Sequence, residues 1–337
     1  MSTEILLSES ASITSIAHRE VIFQTWEGAR GARPRTADDV FLLAGRRDDI
    51  GPHKRDLASL TELVHTLDLD SLQHERRIRG GPHDFAGIEI SASYLGRRTY
   101  NRYDIEDTIG PALANRLRVP YHSRRGGTAP PPGYCGWRLT LDGTNATLLL
   151  RLGEFPAHRR EYKTATIPGT LHPPVAAAMA LLADLHPGQT VLDPCCGAGT
   201  LLIEAHHAVP GMTLIGFDLA SRPRRAAKIN SIGTAPLRIE RADAAALPVA
   251  DRSIDRVLCN PPWGSQVRAG GFLASDPEQW WCELARVLAD DGRAVVLVPD
   301  ARSLSYALDN GLIPTHVQQL SLFGRHPLMT RLERVLR

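Results

Sequence analysis

From Gln189 to Val298 short apolar runs alternate with amphipathic stretches, and that rhythm admits few folds. Gln189–Asp193, Met212–Asp218, Leu237–Ala242, Ile254–Cys259 and Arg293–Val298 read as strands. Gly199–Val209, Arg222–Ser231 and Trp280–Ala289 read as helices between them, with Asp276 and Glu278 at the start of the third. Strands this uniformly apolar must be covered on both faces. Strands separated by helices must run parallel, so a parallel sheet between helical layers follows. The chain then changes character. His316–Phe323 and Leu328–Leu336 have no helix between them, only Gly324-Arg325-His326-Pro327, and are expected to pair antiparallel.

The N-terminal half has a different, α+β pattern. Short strands are expected at Glu20–Gln24, Val40–Ala44 and Gly87–Ala92, and helices at Asp56–Leu67 and Ile105–Leu117. Gly126–Gly133 reads as a loop. Trp137–Leu141 and Ala146–Arg151 flank Asp142-Gly143, a strong hairpin signal. Lys163–Pro174, broken by Pro168-Gly169 and Pro173-Pro174, is the expected joint between the halves.

Composition narrows the class. No apolar run reaches the roughly 18 residues that span a bilayer, and the N-terminus lacks a basic-then-apolar leader, so a cytoplasmic protein is expected. Five cysteines without a CxxC pair predict neither a disulfide framework nor a metal centre, and adjacent Cys195 and Cys196 read as tight packing. Of 39 basic residues 36 are arginine, so only local clustering is informative. Between Arg76 and Arg125 ten arginines face five acids, and Arg97, Arg98 and Arg102 interleave with Tyr94, Tyr100 and Tyr103. That pattern suits phosphate contacts with base stacking. His206-His207 on a helix point to different faces and predict no metal.

Two loops carry the chemistry. The first is Asp193-Pro194-Cys195-Cys196-Gly197-Ala198-Gly199-Thr200, between a strand and a helix. Its small residues let a ligand approach the backbone, and the helix start offers free N–H groups. Asp218 ends the next strand, where a carboxylate can accept ribose hydroxyls, and Leu219 follows it. Asp243, with Ala244, ends the third strand, placed to meet an adenine amine. A dehydrogenase fingerprint would need a third glycine where Leu202 stands, so S-adenosylmethionine is the expected cofactor.

The second loop is Asn260-Pro261-Pro262-Trp263-Gly264, directly after a strand, where open α/β sheets bind their ligands. An amine conjugated to a ring is a poor nucleophile. The Asn260 side-chain oxygen and the Pro261 carbonyl can accept its hydrogens and turn its lone pair outward. Pro261 and Pro262 bring no competing N–H, and Trp263 can stack on a planar base.

Together these loops resemble those of the THUMP-associated RNA guanine-N2 methyltransferases. That family carries DPxCGSGTxxIEA followed by D/N-PP-aromatic-G, and Glu204 and Ala205 match the end of the first pattern. Upstream, His158-Arg159-Arg160-Glu161-Tyr162 and Leu171–Ala178 resemble its RxYR…LxxxLAAA junction. Two departures stand out: Trp263 replaces the usual Tyr or Phe, and the family's opening Gly-Leu-Glu turn is not evident.

The resemblance implies a class I, Rossmann-like methyltransferase domain at 161–337, its parallel sheet ended by an antiparallel hairpin. It implies a THUMP-like RNA-binding domain at 76–160 and a shortened ferredoxin-like module at 1–75. Asp193, Cys195, Gly197, Gly199, Thr200, Asp218, Leu219, Asp243, Ala244, Asn260 and Thr170 would hold S-adenosylmethionine. Asn260, Pro261, Pro262 and Trp263 would carry catalysis. Arg97, Arg98, Arg102, Arg159 and Arg160 would contact tRNA or another structured RNA. The same chemistry on a small molecule, a peptide amide or DNA adenine, and an inactive RNA-binding protein, are the alternatives.

Overall fold

The computed structural model describes residues 13–17, 20–23, 34–262, 270–322 and 324–335. The chain forms two compact units, Met1–Ala157 and His158–Arg337.

In the first unit, β1 (Ile13–Ala17) and β2 (Glu20–Phe23) form an antiparallel pair. A separate sheet has the order β3 (Phe41–Asp48), β7 (Asn145–Arg151), β6 (Tyr134–Leu141), β4 (Gly87–Tyr94), β5 (Tyr121–His122). The β6–β7 hairpin turns at Asp142-Gly143, where Gly143 has φ +92°, a conformation that excludes most side chains. Helices α1 (Leu60–His65), α2 (Leu69–Ile78) and α3 (Arg102–Leu117) accompany this sheet. Leu60, Ile105, Ile109 and Leu113 pack with Ile88, Ile90 and Leu148 in one core.

The expected boundary at 75/76 falls inside α2, and β3, from before it, pairs with β7, from after it. The structure thus joins in one sheet what the sequence divides. Arg76 explains part of this. It is 2% exposed, and its guanidinium donates to the carbonyls of Arg151 and Pro82, both at 3.0 Å. Asp104 completes a capping box with Asn101 at the start of α3. Glu106 and Asp107, one turn into α3, reach other elements: Glu106 accepts from Ala92 N–H and Asp107 from the Tyr121 and Ser123 hydroxyls.

The second unit is the α/β layer structure that the strand–helix rhythm predicts. Its helices are α4 (Pro173–Leu182), α5 (Thr200–Ala208), α6 (Ser221–Ser231), α7 (Phe272–Ser275), α8 (Pro277–Val287) and α9 (Arg302–Asp309). Its strands are β8 (Thr190–Asp193), β9 (Thr213–Phe217), β10 (Leu237–Glu240), β11 (Ile254–Cys259), β12 (Leu288–Val298), β13 (Leu312–Gln319) and β14 (Leu328–Arg334). They lie in the order β10-β9-β8-β11-β12-β14-β13. The first five run parallel, and β14 runs antiparallel to both β12 and β13.

Alternation along each strand builds two cores. Val191, Leu214, Leu258, Val295 and Met329 pack with residues of α4 and α5 on one face. Leu192, Ile215, Val257, Val296 and Leu332 pack with α8 and α9 on the other. Each such side chain removed from water contributes about 1.5–3 kcal/mol, which keeps the strand ends, and the loops they carry, in fixed positions. Arg256, 5% exposed on β11, braces this unit as Arg76 does the first, donating to the Ala183 carbonyl at 2.9 Å. The strand expected from Arg293 begins at Leu288, within the expected helix, and the first hairpin strand begins at Leu312 rather than His316.

Candidate active site

The carboxyl ends of β8, β9 and β11 and the segment after β10 open into one cavity of about 560 Å³. It is lined by Thr170, Asp193, Cys195, Gly197, Thr200, Asp218, Leu219, Asp243 and Ala244, together with Asn260, Pro261 and Pro262. Gly199 does not line it. That residue starts α5 in a left-handed conformation, φ +80°, and a Cβ there would lie 3.3 Å from the Ala227 Cβ. Its role is to let the turn pass close to α6. Trp263 lies outside the described residues.

The turn is built by backbone hydrogen bonds. Gly199 N–H donates to the Cys196 carbonyl and Cys196 N–H to the Phe217 carbonyl, each at 2.8 Å. Asp193, 1% exposed, accepts from Cys195 N–H at 3.1 Å, so its carboxylate shapes the loop. Burial pushes its carboxyl well above the ordinary aspartate range. Asp218 is less enclosed. It accepts from Gly197 N–H at 3.2 Å and Ala220 N–H at 2.9 Å. Burial raises its carboxyl too, against those two N–H groups and the charge of Arg224. Asp243 accepts from Ala245 N–H at 3.1 Å.

Two side chains that line the cavity have unused polar capacity. Thr200, 3% exposed at the first turn of α5, keeps a buried hydroxyl that has no hydrogen-bond partner among the described residues. A buried hydroxyl without a partner costs free energy, and a polar ligand group beside it would remove that cost. The half-buried Asn260 lies directly beyond β11, and among the described residues no hydrogen bond occupies its amide. The free hydroxyl, the helix start and the three acids on neighbouring loops fit a nucleoside bearing an amino-acid group.

The wall opposite these loops comes from Ile167 to His172. Thr170 was expected here. What fixes the segment was not. The Glu204 side chain, 0% exposed on α5, accepts from Arg160 Nε and from Tyr162 Oη, both at 2.8 Å. Asn230 on α6, 1% exposed, accepts from Ala165 N–H at 2.8 Å. Its amide donates to the Ala165 and Ala198 carbonyls, both at 3.0 Å. One asparagine thus ties the wall to the glycine turn. Arg222, Leu297, Leu322 and Arg325 also line the cavity without having been expected to.

The arginine expectations divide. Arg160 is not available to RNA, because its side chain is 8% exposed and bound to Glu204. Arg98 is likewise internal. Its side chain, 6% exposed, pairs with Asp49 at 2.5 Å and donates to the Ile50 carbonyl and the Tyr100 hydroxyl. Tyr100, 3% exposed, cannot stack on a base. Arg97 and Arg159 are exposed and make no ion pair among the described residues. Arg102 is exposed over the Tyr103 ring, 4.6 Å from its centroid. The five cysteines are free thiols, and no cluster of metal-binding side chains occurs among the described residues.

Residues 160–322 match the family described as RMKL-like, methyltransferase domain. The tRNA (guanine(6)-N2)-methyltransferase of Thermus thermophilus is 30% identical over 97% of this chain and 92% of its own. The tRNA (guanine(10)-N2)-dimethyltransferase of Methanothermobacter thermautotrophicus is 26% identical over 69% of this chain and 68% of its own. The crystal structure of TrmN from Thermus thermophilus superposes with a TM-score of 0.76 at 25% identity, covering 99% of this chain and 96% of that one. The chain belongs to the S-adenosylmethionine-dependent RNA guanine-N2 methyltransferase family.

Proposed function

We propose that the protein methylates the exocyclic N2 of a guanosine in tRNA. The carrying observation is that Asn260-Pro261-Pro262 shares one cavity with Asp218, Asp243 and the glycine turn. The full-length likeness to a tRNA guanine-N2 methyltransferase supports the substrate. Bound S-adenosylmethionine supplies a methyl group already activated on a sulfonium. Asp218 would accept the ribose hydroxyls, Asp243 the adenine amine, and Thr200 would donate to the amino-acid end. The Asn260 Oδ1 and the Pro261 carbonyl accept the two N2 hydrogens. That would hold the amine with its lone pair turned out of the ring's conjugation. Catalysis is then mostly positioning. Neither acceptor is basic, so the proton that N2 would lose on methylation would pass to solvent, the sulfonium leaving as a neutral thioether and the base staying neutral.

Within this reading the first unit docks the RNA as a THUMP-like module, with Arg97 and Arg102 on its surface. The test is methyl transfer to unmodified tRNA followed by nucleoside mass spectrometry. Asn260→Ala should lower turnover on the order of 10²–10⁴-fold while cofactor affinity stays within about twofold. Transfer by this variant at the wild-type rate, or methylation of a base other than guanine, overturns the assignment.

A further inference from the structure

The strand order separates the two substrates' halves of the cavity. The acids placed for the cofactor follow β8, β9 and β10, all on one side of β11. On the other side of β11 lie β12, β14 and β13. Asn260, at the end of β11, stands between them. The link from β13 to β14 emerges at the same sheet edge, because Leu328 at its end pairs with Val298, the last residue of β12. From that link, Leu322 and Arg325 reach the cavity.

The link holds Arg325 in place without using its side chain. Leu322 N–H donates to the Arg325 carbonyl and Arg325 N–H to the Leu322 carbonyl, both at 2.9 Å. Leu320 N–H donates to the Pro327 carbonyl at 2.8 Å, and Gly324 takes φ +77° to close the turn. The Arg325 side chain is exposed, with no ion pair or side-chain hydrogen bond among the described residues. In the same unit Arg160, Arg224, Arg286 and Arg331 all spend their guanidinium groups on carboxylates, carbonyls or a hydroxyl. The other arginine lining the cavity, Arg222, lies at the start of α6, three residues after Leu219, on the cofactor side.

We propose that Arg325 grips the RNA phosphodiester flanking the target nucleotide, so that the guanine edge meets Asn260 in register. This rests on the reading that the acceptor is a base in RNA. A nucleotide whose base enters the cavity keeps its phosphates at the mouth, and a free guanidinium on the acceptor side of Asn260 is suited to them. The planar fork contacts two phosphate oxygens at once, which a point charge cannot do.

The experiment compares wild type, Arg325→Ala and Arg325→Lys on a tRNA transcript that the wild type methylates. Binding is measured across a salt series and cofactor affinity by calorimetry. Arg325→Ala should raise the RNA Kd and KM roughly fivefold. It should make the slope of log K against log salt shallower by about 0.7, one phosphate's worth, and leave the cofactor Kd unchanged. Arg325→Lys should restore the slope and only part of the KM. An unchanged slope and RNA Kd overturn the proposal. So does weaker cofactor binding with RNA binding intact, which would put Arg325 on the cofactor carboxylate. A wild-type protein that methylates no RNA overturns the functional reading itself.

Discussion

Replacing Glu204 is the sharpest test of how the wall of the active site is held. Its carboxylate is 0% exposed and holds Arg160, 8% exposed, at 2.8 Å and the Tyr162 hydroxyl at 2.8 Å. Water cannot replace it there. Glu204→Ala takes away the carboxylate to which both the buried guanidinium and the phenol donate. Removing one partner of a buried charge pair costs about 3–5 kcal/mol. For a unit of this length each kcal/mol moves Tm by about 2–4 °C, so a fall of roughly 6–20 °C is expected. Glu204→Gln keeps the shape and one acceptor oxygen but loses the charge, and should cost less, about 1.5–3 kcal/mol. Tyr162→Phe removes one donor and should cost about 1–2 kcal/mol. Because both act on one carboxylate, the costs of Glu204→Ala and Tyr162→Phe should not add in the double variant. Urea unfolding followed by circular dichroism gives these values. A Glu204→Ala protein within about 0.5 kcal/mol of wild type, at unchanged m-value, would refute the reasoning.

Burial holds the Asp218 carboxyl above the usual aspartate range, and in the proposed role it accepts the ribose hydroxyls as the ionised form. Cofactor affinity should therefore fall as pH drops through that raised pKa, at a higher pH than a solvent-exposed aspartate would give, and Asp218→Asn should be weak and flat across the same titration. The sign for stability is opposite. With a folded pKa above the unfolded one, the native state binds the extra proton, so this group's contribution to stability declines as pH rises through that window. Asn230→Ala cuts the tie between Ala165 and the glycine turn. Calorimetry should show S-adenosylmethionine affinity lowered roughly tenfold with the KM for RNA unchanged. An equal rise in both constants would mark general misfolding instead.

The parallel sheet, its helical layers and the final hairpin were legible because each rests on local periodicity. So were the loops that line the cavity, whose residues lie within a few positions of a strand end. The hydrogen-bonding fate of the arginines was not legible. Arg98 meets Asp49 and Arg160 meets Glu204 across long stretches of sequence, and spacing alone cannot distinguish a guanidinium aimed at RNA from one turned inward. Arg325 was hidden for a related reason. Its Gly324-Arg325-His326-Pro327 link was visible as a turn, but only the insertion of β14 between β12 and β13 brings it to the cavity. The helix expected to end at Ala289 ran too long because Leu288 and Ala289 are apolar in either state, and pairing of Ile254 with Leu288 decides for strand.

Arg76 and Arg256 act as cross-links whose two ends differ in tolerance to mutation. The far end is a main-chain carbonyl, that of Arg151, Pro82 or Ala183, which exists whatever side chain the residue carries. The near end needs a fork long and flat enough to reach two carbonyls, which lysine lacks. Substitution at a receiving position should therefore leave these hydrogen bonds in place, and substitution at a donating one should remove them. A chain braced this way can drift widely in sequence around a few arginines and still present the same cavity.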